Sequence, residues 1–152
     1  SVEAPISKNY LFRKIIKLWN TTRAGAKLNG YLTEIVENIL TVSKNETHQV
    51  FYWSEQVTPY NLQNYRDNSI ENRSIEDISQ EEIKIAIMEA LEINLSLSRE
   101  ELVRITSKTF GFMKVGNQID QVISLAIESL IDSNNIKLNN ERINFISNSS
   151  NN

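Results

Sequence analysis

SKNYLFRKIIKLWNTTRAG, residues 7–25, and SREELVRITSKTFGFMKVG, residues 98–116, are the stretches on which the reading of this chain turns. They align without a gap at a shift of 91 positions, so that Ser7 meets Ser98, Leu11 meets Leu102, Arg13 meets Arg104 and Gly25 meets Gly116. Similar residues meet at Lys8/Arg99, Lys17/Lys108, Trp19/Phe110 and Arg23/Lys114, and past the glycine Leu28 meets Ile119 and Glu37 meets Glu128. Apolar positions, basic positions and the turn glycine recur together, which reads as one small helical module used twice.

The second copy is the clearer. Ser79-Gln80-Glu81-Glu82 has the form of a capping box, and Ile83, Ile87, Ala90 and Leu91 follow at helical spacing to about Glu92. Ile93-Asn94-Leu95 reads as short and extended. A second capping box, Ser98-Arg99-Glu100-Glu101, opens a helix that Gly111 and Gly116 end, since glycine tolerates positive φ. Asn117 and Asp120 start a third helix with a wide apolar stripe, Ile119, Val122, Ile123, Ala126, Ile127, Leu130 and Ile131. Ile136-Lys137-Leu138 and Arg142-Ile143-Asn144-Phe145 then form a hairpin about Asn139-Asn140. Three helices and a hairpin is the order of a winged helix.

The first copy repeats this from an extended Val2. Ser7 caps a helix with Leu11, Ile15 and Leu18, the helix after Gly25 runs from Leu28 to Leu40, and Val50-Phe51-Tyr52-Trp53 is a strand. This copy has no counterpart of the first helix. Strand alternation directs Phe51 and Trp53 into the core, and Trp19 and Phe110 are expected there too. The fold class expected is mainly α with small β-hairpins (α+β), as two winged-helix-like modules related by an internal repeat. The modules occupy residues 1–53 and 79–146, joined by a connecting loop, 54–78, that wraps a surface or moves; the Ser/Asn tail 147–152 frays.

Length and composition agree with a globular chain: 152 residues, 40% hydrophobic and 23% charged, are enough for a sizeable core. No apolar run approaches the ~18 residues of a membrane span, and Ser1-Val2-Glu3-Ala4-Pro5 does not look like a signal peptide. The lack of cysteine excludes disulfides and thiolate chemistry, and a cytoplasmic setting is expected. The net charge of −3 does not suit a strongly basic nucleic-acid binder. Its distribution is uneven, however, with seven Lys/Arg against four Asp/Glu in residues 1–53.

No catalytic constellation emerges. His48 is the single histidine and lies in a polar loop, so a zinc site or His-based triad lacks raw material. Helix caps account for Glu81-Glu82 and Glu100-Glu101. The chain is expected to be no enzyme by itself and to need no cofactor, metal or small-molecule substrate. The repeated basic set is the better candidate. Arg13 and Lys17 share a helix face, Arg23 and Lys27 flank Gly25, and Arg104, Lys108 and Lys114 repeat three of these positions, with Gln118 in place of Lys27. Basic side chains around a helix start suit phosphate. Asn29, Thr33, Asn117, Gln118 and Gln121 would be the exposed positions of the groove-entering helices. The competing reading is a solvated face of intrahelical pairs.

Five short motifs then suggest a family: Val2-Glu3-Ala4-Pro5-Ile6; Arg23-Ala24-Gly25; Phe51-Tyr52-Trp53; Ile75-Glu76-Asp77-Ile78-Ser79 with Glu81-Glu82-Ile83; and Phe110-Gly111-Phe112 with Gly116. In this order they resemble the domain of unknown function (number 3320) that closes very large bacterial superfamily-one helicases. Gln80 departs from the pattern, which has a proline there. The resemblance implies an accessory part of a DNA helicase or nuclease whose motor and catalytic residues lie elsewhere, and it carries over no catalytic residue. Two functions follow as expectations. One is DNA positioning through phosphate contacts from Arg13, Lys17, Arg23 and Lys27, with help from Arg104, Lys108, Lys114, Asn117 and Gln118. The other is a scaffolding module that packs on the helicase motor or nuclease domain without binding DNA.

Overall fold

The computed structural model describes residues 3–20, 23, 25–45 and 47–146. The chain is α+β, and among the described residues it has five α-helices and two three-stranded antiparallel sheets. It divides into two compact units, Ser1–Gln63 with Glu76–Ser79 and Asn64–Ile75 with Gln80–Asn152.

Unit one runs β1 (Ile6–Ser7), α1 (Lys8–Leu18), α2 (Ala26–Glu37), β2 (Thr41–Lys44) and β3 (Val50–Trp53), with sheet order β1-β3-β2. Ser7 starts α1 by accepting the Tyr10 amide at 3.0 Å. The core joins Ile6, Phe12, Leu32 and Tyr52, flanked by Leu11, Ile15, Leu28 and Val36. Phe51 and Trp53 are buried as expected, and Tyr52 between them is buried too, so both faces of β3 are covered. The Trp53 indole N–H donates to Ser43 Oγ at 2.8 Å.

Two expectations fail here. The second helix stops at Glu37, three residues before Leu40, because the amides of Ile39 and Leu40 both turn back to the Val36 carbonyl and residues 38–40 swing the chain into Thr41–Lys44, which pairs along β3. Trp19 is exposed. It follows the last turn of α1, where no described aromatic ring lies against it, whereas its counterpart Phe110 is buried with Tyr65 edge-on at 5.4 Å. The extended start is Ile6–Ser7; Val2 lies outside the described residues, as does the expected tail 147–152.

Unit two runs α3 (Gln80–Asn94), β4 (Ser96–Ser98), α4 (Arg99–Thr109), α5 (Asn117–Asp132), β5 (Ile136–Asn139) and β6 (Arg142–Phe145), with sheet order β4-β6-β5. α3 packs on α4 and α5 through Ile83, Ala86, Ile87, Ala90 and Leu91. It runs two residues past Glu92, and Leu95, with φ of 62°, makes the turn into β4 in place of the expected extended 93–95. Ser98 and Glu101 form the expected capping box. Gly111 needs its glycine at φ +80°, whereas Gly116 is extended at φ −89° and acts as an N-cap. The hairpin turn is Asn140-Glu141, both at positive φ, one residue later than expected.

The segment 54–78 is built in, not loose. Asn68 and Arg73 are buried in unit two, and residues 76–79 belong to unit one, where Asp77 is buried. The Asn68 amide donates to the Arg73 and Phe110 carbonyls, both at 3.0 Å. Arg73 Nη1 donates to both Glu82 oxygens at 3.1 and 3.0 Å. The Glu82 carboxylate, expected in a cap, is thus the anchor of a buried ion pair.

The helix and sheet plans of the two units run in parallel. α1 and α4 are each 11 residues long and start 91 positions apart, as do α2 and α5. Each sheet places its last strand centrally between the other two. α3 has no α-helical counterpart among the described residues of unit one.

Candidate nucleic-acid interface

All nine side chains singled out from the sequence, Arg13, Lys17, Arg23, Lys27, Arg104, Lys108, Lys114, Asn117 and Gln118, are exposed. Their roles diverge within unit one. The Arg13 guanidinium is ion-paired to the buried Asp77 carboxylate, which also accepts the Ser7 hydroxyl, and it lies 5.5 Å from the Tyr10 ring centre. Arg13 therefore ties residues 76–79 to α1, and a charge so committed has less to offer a phosphate. The sequence held this pairing only as an unassigned acid in the 54–78 connection.

Lys17 stands in the last turn of α1, where a cation also complements the helix dipole. Lys27 stands in the first turn of α2, next to its N-cap Gly25, which supplies no side-chain cap. Lys17, Lys27, Lys108 and Lys114 enter no ion pair among the described residues. Arg13 and Lys27 border different grooves. Arg13 joins Lys8, Phe12, Asn29 and Thr33 around about 410 Å³ between α1 and α2, while Lys27 joins Leu28, Gly30 and Tyr31 around about 640 Å³. Lys8 was not singled out from sequence, although it stands one helical turn and a half before Arg13 on α1.

In unit two, Arg104 and Lys108 lie four apart on α4 and share a face. Lys114, Asn117 and Gln118 surround the start of α5, whose N-cap Gly116 again supplies no side-chain cap. An uncapped helix start leaves amide donors open to an anion. Both α2 and α5 thus start without a side-chain cap from their N-cap residue and beside exposed lysine, and that arrangement suits phosphate oxygens.

Burial pushes the Glu81 carboxyl above its ordinary value, but the neighbouring Glu82 is held by Arg73. The Ser98 amide and hydroxyl hold Glu101 below its ordinary value, as a cap requires. His48, at φ 62°, sits beside Ser7, Lys8 and Glu76 at a groove of about 260 Å³. Among the described residues no three His, Cys, Asp or Glu side chains are grouped to hold a metal, and no helix is long and apolar enough to cross a membrane. Compared with known proteins, the chain matches no family model and has no significant match among curated proteins or solved structures.

Proposed function

We propose that this chain is a tandem of two winged-helix-like modules related by an internal repeat, serving as a non-catalytic accessory domain of a bacterial DNA helicase or nuclease. The domain positions DNA through its phosphates. The observation that supports this reading is the pair of matched helix starts: Gly25 and Gly116, 91 positions apart, each leave amides uncapped, with Lys27 and Lys114 exposed beside them. Lys17, Arg23, Arg104 and Lys108 extend the positive surface of each module, and Asn117 and Gln118 supply amides. Contacts of this kind are independent of sequence and sensitive to salt.

The test is a titration of duplex, single-stranded and forked DNA against the wild type and a Lys17→Glu/Arg23→Glu/Lys27→Glu variant. Arg13 is left alone because Asp77 depends on it. The variant should bind more weakly at low salt, and the log–log salt slope on duplex should flatten by about 0.9 for every phosphate the protein no longer neutralises. Equal affinity and equal slope for the two proteins would refute DNA positioning.

A second reading, a module that packs on the helicase motor or nuclease domain without touching DNA, draws on the Arg13–Asp77 pair, which commits the first cation of the set to a partner within the chain. Under it, neither protein binds DNA at low salt.

A further inference from the structure

Four apolar residues of unit one lie bare at positions whose counterparts in unit two are covered. Trp19 is 58% exposed against 1% for Phe110, Tyr31 64% against 6% for Val122, Ile35 42% against 0% for Ala126, and Ile39 70% against 6% for Leu130. Single exposed apolar residues are ordinary, but a set in register with a buried set is not. On α2 the buried arc centres on Leu32, flanked by Leu28 and Val36, and Tyr31 and Ile35 extend it on one side. On α5 the same arc centres on Ile123, and there Val122 and Ala126 are buried.

The difference between the units is a helix. In unit two α3 packs on both α4 and α5, and its Ile83, Ala86, Ile87, Ala90 and Leu91 are buried. Unit one has α1 and α2 in the same register but no such helix among its described residues. It has open ground in its place. A groove of about 250 Å³ is bordered by Ile6, Leu11, Leu40 and Tyr52, and the wider groove over Leu28, Gly30 and Tyr31 lies on α2.

We infer that this face of unit one is the seat of an amphipathic helix from outside the described residues, docked on α1 and α2 as α3 docks on α4 and α5. The inference rests on the internal-repeat part of the proposed function and is independent of DNA binding. The occupant's chemistry follows from the seat. Its length is about four turns, like the 15 residues of α3, and its inner stripe carries isoleucine or leucine at three- and four-residue spacing. Its flank over the start of α2 is acidic, because the exposed Lys27 borders the groove where unit two has Gln118, while Lys14 is already paired with Glu3. α3 itself carries Glu81, Glu89 and Glu92. It is therefore a suitable probe.

The experiment adds to the intact chain a synthetic peptide of residues 78–95 with Glu82→Gln, because Arg73 satisfies that buried carboxylate only in unit two, and follows tryptophan emission. Trp19 is exposed and Trp53 fully buried, so a shift on docking comes from Trp19, and a Trp19→Phe protein serves as the silent control. Docking predicts a saturable blue shift. Affinity should fall about tenfold or more, the equivalent of roughly 1.4 kcal/mol, with a Tyr31→Asp/Ile35→Asp protein or an Ile83→Asp/Ile87→Asp peptide. Both protein substitutions are at exposed positions, and unchanged Trp53 emission verifies that the unit is folded. No shift at millimolar peptide, or equal binding by the substituted partners, overturns the inference. A dimer of the chain that Tyr31→Asp/Ile35→Asp abolishes would also overturn it, by making a second copy the occupant. The DNA titration reads different side chains apart from Lys27, so failure here leaves its result standing.

Discussion

Replacing Arg73 with methionine should be among the most damaging single changes in unit two. Arg73 and Glu82 have no solvent exposure at their side chains, and Nη1 of Arg73 donates to both carboxylate oxygens at 3.1 and 3.0 Å. The same guanidinium donates through Nη2 to the Arg66 carbonyl at 3.1 Å and through Nε to Asn68 Oδ1 at 3.3 Å. Methionine keeps most of the volume and loses every one of these donors. The carboxylate left behind would retain the Arg66 backbone amide at 3.1 Å and the more distant Arg66 Nε at 3.7 Å. Breaking one side of a buried pair costs about 3–5 kcal/mol, and the surviving Arg66 interactions place this case near 3. For a domain of 60–100 residues that is a fall in Tm of roughly 12–24 °C.

The control is a double variant, Arg73→Met/Glu82→Leu. Removing both charges removes the stranded carboxylate, so the double variant should lose only about 1 kcal/mol, for the Arg66 amide that Glu82 had accepted. The assay is thermal and urea unfolding followed by far-ultraviolet circular dichroism for both units and by tryptophan emission for unit one, which holds both tryptophans. A cost below about 1 kcal/mol for Arg73→Met would refute the reasoning. So would a double variant whose cost equals the sum of the singles, since the coupling between the two charges would then be absent.

Two further outcomes are open to direct measurement. Ser98→Ala should cost about 1 kcal/mol as a lost cap, and Ser7→Ala about 2, because the Ser7 hydroxyl both caps α1 and donates to buried Asp77; the reverse order in urea unfolding would remove Asp77 from the account. A hydrogen bond to Glu89 at 2.6 Å pushes the Tyr65 pKa up from 10.0 to about 12, so its contribution to stability is complete below pH 10 and is lost as pH rises to 12. Burial pushes the Tyr52 pKa up to about 12 as well, so tyrosinate absorbance should show the late step shrink in Tyr65→Phe and shift in part to lower pH in Glu89→Gln; an unchanged titration in both would refute the assignment.

What could be read in the sequence was what neighbours in the chain decide. The Ser98–Glu101 cap, the Ser7 cap and the α5 stripe depend on residues within a few positions of each other, and they stand where expected. The hairpin turn came one residue late because pairing, not turn preference, sets the register. Ile143 lies opposite both Leu97 and Leu138 and is fully buried, and a turn one residue earlier would slide it along β5 to lie opposite Ile136 instead. Arg73 was illegible because its partners Asn68, Arg66 and Glu82, at separations of 5, 7 and 9 residues, are brought to it by an irregular segment with no helix or strand period to align them. A signal did exist on the other side of the pair. Glu82 sits on the same buried face of α3 as Ile83 and Ala86, and a carboxylate in such a place requires a cation.

Trp19 is the instructive error: the sequence aligned it with Phe110 and mispredicted its burial. Aligned positions share spacing within their elements, but burial is a property of what packs on top. Phe110 has Tyr65 beside it in a unit that contains α3; Trp19 has neither kind of cover among the described residues. The same holds for Tyr31, Ile35 and Ile39, so the pattern of apolar residues is complete in both units while the shell is complete in one. Full burial of an aliphatic or aromatic side chain contributes about 1.5–3 kcal/mol. Four such side chains left about half exposed or more forgo several kcal/mol, a large share of the ~5–15 kcal/mol that holds a domain folded. A docked helix would recover that energy less the cost of ordering and association. The bare face of unit one is therefore where a docked helix would recover most, and of the two surfaces described it is the one for which α3 illustrates the proposed occupant.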